Sequence, residues 1–195
     1  MDNWINILDE NILKTNINFV ALFVLNFECL KDFIVTQIRE FYSDVAIKDG
    51  KICYEETESY KTEVRALGNN IENASLRWFI NMDAITEDDY DLYQKIRHRR
   101  NEIIHELLKN LNDGFTENDA MLFGEMLRIY RKIDKWWIIE IEIPISGEDI
   151  PEDYDTEQVC GGQSLVLDMI NDIVLDNNKE RYKGILDELK KIGAR

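Results

Sequence analysis

The chain of 195 residues is 45% apolar and 32% charged, a length and balance that suit one sizeable core. Its 39 acids against 23 Lys and Arg give a formal net charge of −16, which excludes a broad, sequence-independent duplex-DNA surface, because such affinity comes from neutralising phosphates. Cys29, Cys53 and Cys160 are odd in number and lack CxxC or metal-ligand spacing, which argues against a secreted disulfide framework and predicts a reducing cytoplasm.

In chain order, "MDNWINILDENILK" carries acids where a secretion signal would carry Lys or Arg, and no signal is expected. The apolar run from Ile17 to Leu30 is broken by Asn18, Asn26 and Glu28 and falls short of the ~20 residues a membrane span needs. It reads as part of a long buried helix, about Thr15 to Asp44, closed by the turn-like "KDGK" around Gly50. A second helical stretch, about Glu56 to Met82, sets Val64, Leu67, Ile71 and Trp78 on one side, with an interruption expected at Gly68 to Asn70. Thr86 and Asp89 resemble a capping box that opens a third helix, about Glu87 to Leu111, closed by Asn112, Asp113 and Gly114. Thr116 caps a fourth, carrying Leu122, Met126, Ile129, Ile133 and Trp136.

Beyond it, "WIIEIEIPI" alternates Ile139, Ile141, Ile143 and Ile145 with glutamates, the two-residue repeat of a half-buried strand. It has no obvious partner strand, and a helix continuing through Ile141 is the alternative. An acidic loop, residues 146–157, precedes two terminal helices expected to pack back on the bundle. The prediction is an all-α antiparallel bundle over residues 1–137, with residues 138–195 an extension on the same compact body.

One stretch breaks the pattern. "KIRHRR", residues 95–100, holds four cations and a histidine in an acidic chain. On a helical wheel, Leu92, Tyr93, Ile96, Ile103, Ile104, Leu107, Leu108 and Leu111 fall in one arc, with Arg100 at its middle and Arg97 inside it. Asn101 and His105 sit on its shoulder as an i, i+4 pair. A guanidinium left dry and unpaired costs several kcal/mol, so Arg100 must meet a carboxylate, a cleft or a second subunit.

A lone Arg on an inner helix face more often pairs with a buried acid than does chemistry, and a lone His is usually structural. Taken alone, "KIRHRR" reads best as a solvated basic face. The set of arginine, amide and imidazole on one turn and a half of helix suits something further, the cleavage of RNA by its own 2′-hydroxyl. An imidazole titrates near neutrality and can move protons, and a guanidinium can hold the charge that grows on the phosphorane. No metal or cofactor is called for: no HExxH, DxD, Cys/His cluster, Gly-rich phosphate loop or serine nucleophile motif appears. The pairs Asp88/Asp89 and Glu55/Glu56 read as solvated acids.

"RNEIIH", Arg100 to His105, resembles the R-x4-H motif of the HEPN superfamily, in the form with Asn directly after Arg. The helical context over about residues 15–137 is similar as well, and the C-terminal third is not covered. The resemblance implies a metal-independent endoribonuclease, a toxin of a toxin–antitoxin or antiphage defence system, whose two motifs face each other across a homodimer. It assigns catalysis to Arg100 and His105 with Asn101 in support, and RNA contacts to Lys95, Arg97, His98 and Arg99. It also implies an acid on an earlier helix against the arginine, with Glu28, Asp32 and Glu63 as candidates. The partners implied are RNA, a second copy and a nucleotidyltransferase-type antitoxin, with no membrane. Some members keep the fold without the activity, so a non-catalytic nucleotide- or protein-binding module is the alternative.

Overall fold

The computed structural model describes residues 4–48, 50–147 and 155–175, together with Lys183 and Lys190. A short α1 (Ile5–Leu8) leads into α2 (Glu10–Phe41), whose N-terminus is capped by the Asp9 carboxylate accepting from the amides of Asn11 and Ile12. Leu22, Phe23, Phe27, Leu30, Ile34 and Ile38 recur on one side of α2 at helical spacing and are all buried. They form the spine of a single core with Phe79, Tyr93, Ile96, Ile103, Met126, Ile129 and Ile133 from the later helices.

Residues 42–44 do not extend α2; the chain turns into an antiparallel hairpin, β1 (Ser43–Lys48) and β2 (Lys51–Glu56), around Gly50 at φ 73°. Asp-Gly between alternating apolar residues is a strong signal for a two-residue hairpin turn, and Val45, Ile47, Ile52 and Tyr54 supply that alternation.

The helical stretch that follows is broken as predicted. It runs as α3 (Glu58–Glu63), a 3-10 turn over Arg65–Leu67, and α4 (Ile71–Asn81), with the Asn70 side chain capping α4. Gly68 lies in the break, where a Cβ would stand 2.7 Å from the Ala74 backbone nitrogen.

Next come α5 (Glu87–His105), α6 (Leu107–Asp113) and α7 (Glu117–Trp137). Both Thr86 and Thr116 close full capping boxes, with Asp89 and Asp119 as the reciprocal acceptors. These acids also join α5 to α7. Near the start of α5, Asp89 meets Arg128 at 2.8 Å and Lys132 at 2.6 Å from the second half of α7; further along α5, Arg99 meets Asp119 in the first turn of α7 at 2.5 Å. Ion pairs at both ends thus hold the two helices antiparallel. Asp89 and Asp119 are buried, so reading Asp88/Asp89 as a pair of solvated acids is corrected for Asp89: it sits where cap and cations converge.

The strand expected at 138–145 is absent, and the alternative holds. The helix continues through a π-type turn over Ile138–Glu142 into α8 (Ile143–Ser146). With no partner strand at hand, a helix is the conformation in which this backbone satisfies itself. Of the terminal helices, α9 (Gly162–Val174) packs back on the bundle: the buried Asn171 and Asn26 side chains exchange two hydrogen bonds, 2.8 and 3.0 Å, across α9 and α2. The second terminal helix and most of the acidic loop lie outside the described residues. Among those described, no helix is long and apolar enough to cross a membrane.

Candidate functional site

The third helix does not run unbroken to Leu111 as its apolar spacing predicts. It ends at His105, and Glu106, at φ −117° and ψ 36°, turns the chain into α6. Asn110 reaches back over this break, its buried amide donating to the carbonyls of Glu102 (3.2 Å) and Glu106 (2.9 Å), each of which also accepts a backbone N–H, so the side chain ties the two helix ends together. The break changes which residues are covered. Tyr93, Ile96 and Ile103 are buried, whereas Ile104 and Leu107 are open and Leu108 is 81% exposed. The buried arc is therefore narrower than predicted; Arg100 still falls inside it, between Tyr93 and Ile96 on the wheel, with 23% of its side chain exposed.

Arg100 is half-buried and held from three sides. Its Nη2 is paired with Glu28 of α2, its Nη1 donates to the Asn101 side-chain oxygen at 3.1 Å, and its guanidinium lies 5.6 Å from the centre of the Phe27 ring. The Nε is buried without a protein partner. Of the three acids considered against this arginine, Glu28 makes the contact; Asp32 accepts from Thr36 and Glu63 from the Tyr42 hydroxyl. One turn toward the N-terminus, Arg97 meets Glu72 (3.3 Å) and Asn73 (3.4 Å) of α4. Asn73 also accepts from Gln94 at 3.2 Å. Burial, then the charge of Glu72 and, less strongly, that of Glu28, raise the pKa of the Tyr93 hydroxyl beneath this cluster, which keeps it neutral.

His105 lies on the exposed side, one turn beyond Asn101, as the last residue of α5. An imidazolium there would also face the negative end of the helix dipole. The remaining residues of the basic run diverge. Lys95 is exposed, and His98 is exposed with its Nε2 3.1 Å from Glu102. Arg99 points to the other side of α5, into Asp119. Burial would raise the Asp119 pKa, but the Arg99 pair and the Thr116 cap together hold it below the ordinary value. The structure therefore gathers Arg97, Arg100 and Asn101 along one side with His105 at its end, and it commits Arg99 to the fold.

Beside the Arg100–Glu28 pair, a cleft of about 210 Å³ opens between α2 and α4, lined by Glu28, Lys31, Asp32, Val35, Ile71 and Glu72. Three of these six residues are acidic and one is basic. The residues that sequence reasoning missed are the ones that set this geometry: Glu72 and Asn73 on Arg97, Asp119 on Arg99 and Asn110 at the helix break. Glu72, Asn73 and Asp119 act across tertiary contacts and Asn110 within eight residues of itself; of the first three, only Asp119, three residues after Thr116, carried a local signal. No protein-family model, no curated protein and no solved structure matches the chain.

Proposed function

We propose that the protein is a HEPN-type, metal-independent endoribonuclease that works as a homodimer, in the role of a toxin in a toxin–antitoxin or antiphage defence system. The observation that carries this reading is the side of α5 on which Arg100, gripped by Glu28, shares a hydrogen bond with Asn101 while His105 stands free to solvent one turn on. The chemistry follows from the groups. An imidazole takes the proton of an RNA 2′-hydroxyl, the 2′-oxygen attacks phosphorus, and the 5′-oxygen leaves with a proton from a second acid, yielding a 2′,3′-cyclic phosphate and a 5′-hydroxyl. The Arg100 guanidinium supplies fixed donors to the phosphorane oxygens. Two His105 side chains across a two-fold dimer provide the base and the acid. The exposed Ile104, Leu107 and Leu108 beside them are the apolar surface such a dimer would cover.

The acidic cleft favours the second reading, a non-catalytic helical module. Glu28 and Glu72 already pair with Arg100 and Arg97, and a phosphate must compete with them. Single-turnover cleavage of single-stranded RNA in EDTA separates the two. Activity in chelator that falls at least about a hundredfold in His105→Ala, with RNA affinity nearly kept, supports the nuclease. Equal cleavage by His105→Ala and wild type, or dependence on added Mg²⁺ or Mn²⁺, rejects the metal-independent nuclease centred on His105; RNA or nucleotide binding without cleavage supports the binding module.

A further inference from the structure

A two-stranded hairpin is marginal in water unless something covers it. In β1 and β2 the register pairs Val45 with Tyr54 and Ile47 with Ile52, so these four share one face. All are open to solvent, at 67, 43, 76 and 67%. Each strand pairs with the other along one edge only, which leaves a second, outer edge on β2. An open edge of β-branched and aromatic residues is a template for strand pairing.

We infer that β2 is a pairing edge for β2 of a second copy, joined antiparallel about a two-fold axis at Cys53. The strand is written for this. In "KICYEE", pairing about Cys53 sets Lys51 against Glu55 of the other copy and Ile52 against Tyr54, twice each, with both Cys53 side chains on the axis. Opposed residues lie on the same face of a sheet, and here each opposition is complementary: charge meets opposite charge on one face and apolar meets apolar on the other. Two-fold pairing about Tyr54 instead sets Ile52 against Glu56, and pairing about Ile52 sets Lys51 against Cys53.

The backbone agrees. Lys48 and Lys51 flank the two-residue turn, and such a turn closes on a hydrogen-bonded pair, so Lys51, Cys53 and Glu55 spend their amide and carbonyl groups on β1. The groups of Ile52 and Tyr54 point outward. In the proposed register these bond to each other across the axis, and Cys53 faces Cys53 in a non-hydrogen-bonded pair. Such pairs hold their Cα atoms about 4.5 Å apart, within the range a disulfide spans. The result is a four-stranded sheet, β1–β2–β2–β1, in which Tyr54 of each copy packs over Ile52 of the other. The contact uses no residue of α5 and does not depend on the nuclease reading.

The test uses the full chain and its native thiol. Under diamide, two Cys53 thiols lose two protons and two electrons to the oxidant, reducing it to the hydrazine and forming one Sγ–Sγ bond. A Cys53–Cys53 link between copies is expected, identified by peptide mass spectrometry and absent from Cys53→Ser. Lys51→Glu alone and Glu55→Lys alone oppose like charges and should weaken association on the order of tenfold, seen as lower mass in sedimentation of the reduced protein. The double variant K51E/E55K restores both pairs and should regain mass and cross-link. Mixing the two single variants should do the same, because each then meets its complement. Absence of the Cys53–Cys53 link, a link that instead joins Cys53 to Cys160, or single reversals that sediment as wild type would overturn the pairing. Cross-linking of Ala46→Cys in a Cys53→Ser background would move the contact to β1 and overturn the assignment to β2.

Discussion

Arg99 and Arg100 are neighbours in the chain and face different tasks. Arg99 closes on Asp119, a carboxylate only 3% exposed, while Arg100 shares its charge among Glu28, Asn101 and the Phe27 ring at the border of solvent. By sequence, Arg97 and Arg99 are equivalent, both expected as phosphate contacts. The pairings separate them. Removing Arg99 strands a buried charge, and breaking such a pair costs on the order of 3 kcal/mol. Arg99→Ala is therefore expected to lower the urea midpoint clearly, and Arg97→Ala, whose partner is nearer solvent, by about 1 kcal/mol or less. Equal midpoints for Arg99→Ala and wild type would show that the α5–α7 pair does not hold the fold. The direction in which Arg99 and Arg100 diverge was legible, since consecutive helix residues stand 100° apart; which acid each would find was not.

At the scale of elements, the capping acids of α5 and α7 serve twice, as cap and as ion pair. Burial by itself would raise the Asp89 pKa, but Lys132, the Thr86 amide and Arg128 outweigh it and hold the carboxyl well below its ordinary range. A group whose folded pKa is depressed stabilises the fold fully above its unfolded value, about 3.9, and loses that contribution as pH falls toward the folded value. Stability against urea should thus decline from about pH 5 downward. Asp89→Asn should lower stability near neutral pH by about 2 kcal/mol and flatten the acid slope. An unchanged slope in that variant would place the acid sensitivity elsewhere. Helix starts were readable because a capping box is local. The hairpin and the false strand were exchanged for one reason: alternation was present at both 43–56 and 138–145, and only the first had a partner strand two residues away.

At the scale of the whole molecule, the exposed Leu108, Ile104 and Leu107 next to His105 are where the proposed catalytic dimer would close. Leu108→Asp puts a charge into that contact while touching no core residue. It should keep the helical circular dichroism and thermal midpoint of wild type, lose the α5-dependent part of the mass in sedimentation, and lose RNA cleavage together with it. Retained cleavage in a variant that has lost that part of the mass would remove the composite site and leave each protomer to act alone.

Four long helical stretches, the break at Gly68, the capping threonines and the apolar residues that fill the centre were determined by the sequence alone, because each rests on interactions within a few residues. The unusual cluster Arg97, Arg100, Asn101 and His105 was visible for the same reason. Tertiary structure decided the rest. It chose Glu28 over Asp32 and Glu63, turned Arg99 into a strut, and left the hairpin's apolar face open. These depend on which groups from distant parts of the chain come within hydrogen-bond reach, and electrostatic and packing energies between such groups fall off over a few ångströms, a distance that spacing along one chain does not encode.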